Sequence, residues 1–238
     1  MSSRTLTRSI LVGVAAIAVA GGSYGIVSAT SSSSPASASS SPAGGGSPAG
    51  GFGSGGRGSN ARSGPAAGGA AGTVSSLSTS KFTMTTSAGQ KVTADEASST
   101  TYQKQTTLAS ASAITTAEPV LVLGTTSNTA ITATQVIVEP AGSAYTASSA
   151  TVIPFQQGAP TTSRQAGQIP ADFTQGSGTI VSGTAASKAT EAALAAYPGA
   201  IVDRVVKLGN GDYNVHYIGV NWPHHAFLNQ DFKVIGAE

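Results

Sequence analysis

Apolar and polar residues alternate along several short runs between Thr73 and Pro140, a pattern typical of β-strands with one buried face. Phe82 and Met84 alternate with threonines. The continuous apolar run from Val120 to Leu123 fits a strand that is buried on both faces. Turn residues separate the runs. Because closing a sheet removes its exposed edges, we expect residues 73–140 to form a small β-barrel.

A helical pattern followed by three strand patterns occupies residues 179–238. Thr184 is a good N-cap residue, strong helix formers follow it, and Pro198-Gly199 ends the run. Asn210-Gly211 predicts a β-hairpin, and a third strand pattern begins at Ala226. We therefore expect one helix packed on a three-stranded antiparallel sheet. The helix face that meets the sheet would carry Ala189, Ala192, Ala193 and Ala196.

Two stretches lack this periodicity. Residues 30–72 consist almost entirely of Ser, Pro, Ala and Gly, and such a composition cannot bury enough apolar surface to offset its ordering entropy. We expect a flexible tether with an r.m.s. reach of roughly 35 Å. Residues 141–178 are predicted to be a second linker, although its apolar residues Val152, Ile153 and Phe155 could dock on a neighbouring domain. The predicted fold class is therefore mostly β, a small barrel followed by an α+β domain, with long disordered linkers.

The N-terminal residues, 1–29, have the features of an export segment. Arg4 and Arg8 precede an apolar run from Ile10 to Ala20. The run ends in a small-residue Ala-Val-Ala site that fits cleavage of a signal peptide. Continued to Val27, it spans about 18 residues, near the lower limit for a membrane-spanning anchor. Both interpretations fit the sequence, and both place the rest of the chain outside the cytoplasmic membrane, on the cell membrane or secreted.

Charge and cysteine content exclude several function classes. Of 12 basic and ten acidic residues, four basic and no acidic ones lie in residues 1–71, so the remainder carries eight against ten, a net charge of −2. A nucleic-acid-binding domain would carry its basic patch on the folded part, so this class is not expected. Because the chain has no cysteine, a disulfide framework, thiol catalysis and thiolate metal sites are excluded.

Two short glycine motifs lack the context that would give them a function. The G-x-S-x-G pattern at Gly21–Gly25 lies at the end of the export segment, without the strand and helix of a nucleophile elbow. The G-x-G-x-x-G pattern at Gly51–Gly56 lies in the tether, without the strand–turn–helix of a dinucleotide site. Neither predicts an activity.

All three histidines and the only tryptophan lie in residues 210–232. A hairpin turn near Trp222-Pro223 would place His216 about four residues away from the position opposite His225, a separation of about 13 Å. His224 and His225 would point to opposite faces of the strand. Zinc needs three or four ligands that converge on one point, so no metal site and no cofactor are predicted.

A hydrolase site is not predicted either. The serines lie in tethers and turns, and no pattern places a nucleophile next to His216. Asp203 and Asp231 are available carboxylates, but no pattern places them near the histidines as further metal ligands. We expect no enzymatic activity.

The outward face of the last sheet is the predicted contact surface. If Tyr213, Val215 and Tyr217 face the helix, alternate residues face away from it, and contiguous exposed apolar residues mark a contact. Its partner would be the Val152–Phe155 segment, an external protein or the barrel. The predicted face consists of His216, Ile218, Val220, Trp222 and Phe227.

Two resemblances follow from these motifs. The pieces "FTMTT", "VLVLGT" and "ITATQVIV", in that order within residues 73–140, resemble a small OB-like barrel domain of unknown function found in bacterial exported proteins. The residues "ATEAALAAYPG" and the closing "DFKVIG" within residues 179–238 resemble the PepSY domain, which occurs in exported and membrane proteins and in propeptides of thermolysin-like metallopeptidases.

The PepSY resemblance implies a regulatory or inhibitory role toward peptidases, or a chaperone-like role at the cell envelope. We therefore expect a non-enzymatic, extracytoplasmic interaction protein whose partner is an envelope protein such as a peptidase. The alternative is a structural spacer that spans the cell wall and has no strong affinity for a ligand. No small-molecule substrate is predicted.

Overall fold

The computed structural model describes residues 64–143, 152–158 and 164–238. The fold is mostly β with one helix, as predicted. The predicted export segment, 1–29, and residues 30–63 of the predicted tether lie outside the described residues. In chain order the elements are β1 (Ala66–Leu77), β2 (Lys81–Thr85), β3 (Lys91–Lys104), β4 (Thr107–Ala109), a 3₁₀ turn (Ala111–Ala113), β5 (Pro119–Ser127), β6 (Ala130–Val138), β7 (Ile153–Pro154), β8 (Ala166–Gly167), β9 (Thr179–Ile180), α1 (Gly183–Ala196), β10 (Ile201–Lys207), β11 (Tyr213–Ile218), β12 (Val220–Trp222), β13 (His225–Leu228) and β14 (Val234–Ala237).

Five strands, β1, β2, β3, β6 and β5, close into a ring of hydrogen-bonded neighbours. The neighbours are antiparallel except for β3 and β6, which are parallel. The alternation predicted for β2 is confirmed, because Phe82 and Met84 are fully buried in the core of the ring. The apolar run in β5 is buried on both faces, as predicted. Val120 and Val122 pack in that core, whereas Leu121 packs in a second core next to α1.

The first ring strand begins at Ala66, so the predicted end of the tether at Gly72 is wrong. Residues 66–73 of β1 pair with β5, and two of these residues also pair with β10. The small side chains that suggested a flexible tether permit this crowding. A Cβ on Gly68 would lie only 2.1 Å from the backbone oxygen of Val202, so any larger residue there would force the strands apart.

Helix α1 packs on an antiparallel sheet of four strands, β10, β11, β13 and β14, which we call the C-terminal sheet. The prediction of three strands is wrong, because the last strand pattern is divided by a turn between Asn229 and Lys233, which are joined by a backbone hydrogen bond of 2.9 Å. The N-cap of the helix is Ser182 rather than the predicted Thr184. The helix ends at Ala196, just before the predicted Pro-Gly stop.

The face of the C-terminal sheet that meets α1 has the predicted composition. Tyr213, Val215 and Tyr217 lie in the core that also contains Ala189 and Ala193 of the helix. The other two alanines of the predicted stripe are half-buried. We call the opposite side of this sheet its reverse face.

The described parts of the predicted second linker pack on the fold. Strand β7 pairs with β12, and β8 pairs with β14. Residues 164–178, which we call the strap, contact the reverse face through Phe173. The docking that the sequence analysis allowed is observed for Val152, which is buried in the core next to α1, and for Ile153, which pairs with β12, whereas Phe155 is exposed.

All described residues belong to one compact unit, Gly53–Glu238. The ring and the C-terminal sheet are continuous, because β1 pairs with β10. Among the residues described, no helix has the length and apolar character needed to cross a membrane.

Candidate functional site

The structure places two of the three histidines directly opposite each other. His216 on β11 pairs with His225 on β13, and their ring centroids are 5.0 Å apart. The predicted separation of these residues is therefore wrong. Its assumption of a tight turn fails because β12 leaves the C-terminal sheet and pairs with β7. The connection between β11 and β13 is consequently wide. The observed register of these two strands differs by about four residues from the register that a tight turn predicts.

An irregularity in β10 brings charged groups to the same place. The pairing of β10 with β11 shifts between Val202 and Arg204, and Asp203 and Arg204 both contact the reverse face. Asp203 Oδ1 lies 2.5 Å from His216 Nδ1, and Asp203 Oδ2 lies 2.7 Å from an Arg204 guanidinium nitrogen. No sequence pattern signals this bulge.

The second imidazole is held by an amide. His225 Nδ1 lies 2.8 Å from Asn214 Oδ1. Because an amide oxygen only accepts and His225 is buried, the imidazole donates its Nδ1–H proton in this bond. Asp203, Arg204, Asn214, His216 and His225 together form what we call the histidine cluster.

Burial and mutual charge set the protonation of the histidine cluster. Burial, followed by the charges of His216 and His224, lowers the pKa of His225 to about 3. Burial and His216 also lower the pKa of His224. Burial raises the pKa of Asp203, but hydrogen bonds from His216 and Arg204 outweigh this effect, so its net pKa lies below the ordinary value. His225 is therefore a neutral imidazole at neutral pH, next to an ionised carboxylate.

The strap encloses the histidine cluster. The ring centroids of Phe173 and His225 are 5.1 Å apart, and those of Phe173 and Phe227 are 4.7 Å apart. Beneath the strap lies a cavity of about 20 Å³ between Ser177, His216 and His225. This volume has room for about one water molecule or one small ion. It is too small for an organic substrate.

The predicted contact face is largely covered by the chain itself. Val220 and Trp222 are 2% and 3% exposed, and Phe227 is fully buried. His216 and Ile218 are half-buried. Strand β7, which belongs to the Val152–Phe155 segment named as one candidate partner, pairs with Val220 and Trp222. Phe173 of the strap packs on Phe227.

A polar groove that the sequence does not signal runs between the first turns of α1 and the ring strands β3, β5 and β6. It has two adjoining sections of about 470 and 410 Å³. Gln135, Thr184 and Ser187 line both sections. Its lining comes from several segments spread over residues 67–191, which explains why no local motif predicts it.

Two carboxylates lie at one end of the groove. Glu139 from the end of β6 and Glu191 from α1 both line its larger section. Burial, followed by the charge of Glu191, raises the pKa of Glu139. Lys188 lies at the same end, so this end of the groove carries both signs of charge.

Within the described ranges, no group of three His, Cys, Asp or Glu side chains is arranged to hold a metal ion. The chain matches no family model, no curated protein and no solved structure.

Proposed function

We propose that this chain is a non-enzymatic, extracytoplasmic interaction protein of the bacterial cell envelope, and that it binds an extended polypeptide segment of an envelope protein in the polar groove. The observation that carries this proposal is the groove itself. Its two sections adjoin along the helix, which gives an elongated site suited to a chain rather than to a compact ligand.

The chemistry of the groove supports a peptide ligand. Gln103, Gln105 and Gln135 contribute side-chain amides, and Thr184 and Ser187 contribute hydroxyl groups. Each of these groups donates and accepts hydrogen bonds. A polypeptide backbone presents one donor and one acceptor per residue, and both need partners when they are buried. These amides and hydroxyl groups can therefore pair with the backbone groups of a bound polypeptide segment.

The two resemblances support the same class of function. The order of one helix followed by antiparallel strands, with the helix on one face, supports a PepSY-like unit in residues 179–238. The ring of five strands supports an OB-like barrel in the first part of the chain. A PepSY-like unit implies a peptidase as the partner, whose activity the protein would modulate or inhibit. The predicted export segment, residues 1–29, supports attachment to the membrane or secretion.

Blocking the groove tests this proposal. In Ser187→Trp the large side chain would fill the groove, because Ser187 lines both sections. The matched control, Ser98→Trp, changes an exposed position on β3. The full chain and both variants would be tagged and used to capture proteins from envelope extract, and the captured proteins would be quantified by mass spectrometry.

We expect one envelope protein to be captured by the wild type and by Ser98→Trp but not by Ser187→Trp. Equal capture by all three proteins would show that binding occurs elsewhere. No specific capture by any of them would favour the alternative, a spacer without ligand affinity.

A further inference from the structure

His225 is enclosed between the C-terminal sheet and the strap. Its ring centroid lies 5.1 Å from that of Phe173 and 6.2 Å from that of Phe227. Gly176 and Ser177 of the strap line the same cavity of about 20 Å³ as His225. His225 is only 7% exposed. The strap therefore closes over an imidazole, the side chain whose charge ordinarily changes near neutral pH.

The surroundings of His225 favour its neutral form. Its Nδ1–H donates to the amide oxygen of Asn214 at 2.8 Å, and this acceptor carries no charge. The carboxylate of Asp203 already pairs with Arg204 at 2.7 Å and with His216 at 2.5 Å. A proton added to His225 would therefore place a second positive charge beside the Arg204 guanidinium, which lines the same cavity.

Two further titratable residues are connected to the backbone around His225. His224 precedes it in the chain, and the backbone carbonyl of Glu238 accepts hydrogen bonds of 2.7 and 3.0 Å from the N–H groups of both histidines. Of the charged strap residues, Arg164 stacks over an indole ring at 3.7 Å, and Asp172 accepts a hydrogen bond of 2.9 Å from a backbone N–H of the Asn-Gly hairpin. The strap residues beside His225 are an aromatic residue, a glycine and a serine, which are all uncharged.

The strap is attached in a way that permits local opening. Most of its residues are exposed, and its strand β8 consists of two residues, Ala166 and Gly167, which pair with β14. Segments with few buried apolar contacts open at a lower free energy than the cores of the same protein. Opening would expose His225 to water and uncover the side of Phe227 on which Phe173 packs.

We propose that the strap and the histidine cluster form an acid-sensitive cover, in which a proton on His225 favours the form with the strap open. The cover shares no lining residue with the polar groove, and it does not depend on the peptide-binding proposal.

The direction of the response follows from the environment of His225 in the closed form. Burial, followed by the charges of His216 and His224, lowers the pKa of His225 from its ordinary 6.5 to about 3. Exposure in the open form returns this pKa toward the ordinary value. The closed form is therefore fully favoured above pH 6.5. Below that pH its equilibrium with the open form shifts by up to about tenfold per pH unit.

Amide hydrogen exchange of the full chain, followed by NMR, tests the proposal. The reporter is the backbone N–H of Gln168, which donates to the carbonyl oxygen of Ile235 at 2.8 Å and so joins the strap to β14. The reference is the N–H of Val74 on the ring strand β1, which donates to the carbonyl oxygen of Glu118 at 2.9 Å. Protection factors, with the intrinsic exchange rate at each pH divided out, are compared at about pH 7.5 and about pH 5.

We expect the protection of Gln168 to fall by about fivefold to thirtyfold from the higher to the lower pH, while that of Val74 stays unchanged. A smaller fall would overturn the proposal. A parallel loss of protection at Val74 would also overturn it, because the whole fold rather than the strap would then be opening.

Two asparagine variants assign the response to one imidazole. His225→Asn keeps an N–H donor near the position of Nδ1 but takes up no proton, so the protection of Gln168 should change by less than about threefold between the two pH values. His224→Asn is the matched control, because it removes an imidazole that does not line the cavity, and it should respond as the wild type does. A full response in His225→Asn, or its loss in His224→Asn, would contradict the assignment.

Asn214→Asp tests the same step without removing an imidazole, and it covers the case in which His225→Asn does not fold. The carboxylate would accept the bond from His225 Nδ1 and neutralise the protonated ring in the closed form. The protection of Gln168 should then change by less than about threefold between the two pH values. A fall as large as that of the wild type would show that charge on His225 does not open the strap.

Discussion

The hydroxyl group of Tyr217 is a buried polar atom that opposes folding. The residue is fully buried, and its hydroxyl group has no hydrogen-bond partner among the described residues. Burial raises the pKa of Tyr217 well above its ordinary value. A buried donor without a partner costs about 1–3 kcal/mol. The hydroxyl group therefore offsets part of the stability that burial of the Tyr217 aromatic side chain provides.

Tyr217→Phe is therefore expected to raise the free energy of unfolding by about 1 kcal/mol, as measured by urea denaturation. The matched control is Tyr102→Phe, because the Tyr102 hydroxyl group donates a hydrogen bond of 2.9 Å to Glu96. That substitution should lower the free energy of unfolding by about 1 kcal/mol. A loss of stability in Tyr217→Phe would show that its hydroxyl group has a partner after all.

At the residue scale, the sequence identified the histidines and the aromatic residues of the C-terminal sheet but not their positions relative to each other. Alternation along β11 predicts that Tyr213, Val215 and Tyr217 face the helix, and this prediction is confirmed. The opposition of His216 and His225 depends on the register. The register is set by a strand that leaves the sheet and by a bulge at Asp203, and neither has a local sequence signal.

At the element scale, the strap joins the C-terminal sheet through several separate contacts. Phe173 packs on the histidine cluster and on Phe227. A carboxylate oxygen of Asp172 accepts a hydrogen bond of 2.9 Å from the backbone N–H of Asn210, and the indole N–H of Trp222 donates one of 2.9 Å to the carbonyl of Arg164. The aromatic contacts of Phe173 supply the apolar part of this attachment.

Phe173→Ala is expected to loosen the strap at a cost of about 1–2 kcal/mol, because a half-buried ring loses part of its apolar contact area. Limited proteolysis should then cut within residues 164–178 earlier than in the wild type. Phe155→Ala provides the control, since Phe155 is 55% exposed and should leave the cleavage rate within the strap unchanged. If both variants were cut at the wild-type rate, Phe173 would not hold the strap in place.

Elements with local signals were predictable and elements without them were not. The hairpin at Asn210-Gly211 and the end of α1 follow from turn chemistry and helix-stop residues. The strap and the first part of β1 have the composition of linkers. Ala70 and Ala71 are nonetheless fully buried, because tertiary contacts from distant strands compensate for the ordering entropy of small residues.

At the scale of the whole molecule, β1 connects the two cores. Ala70 packs in the core of the ring, and its neighbour Ala71 packs in the core beneath α1. The strand pairs along one edge with β5 and along the other with β2 and β10. Since every core of the described residues uses this strand, ring and C-terminal sheet should unfold as one cooperative unit.

Shortening the chain tests this role of β1. A chain that begins at Gly64 keeps the whole strand and should unfold in a single transition, as followed by circular dichroism. A chain that begins at Thr73 lacks residues 66–72, which pair with β5 and include both residues that pair with β10. It should lose both cores together, with poorly dispersed NMR amide signals. A folded and cooperative chain from Thr73 would show instead that the ring closes without this half of β1 and that the two parts are independent.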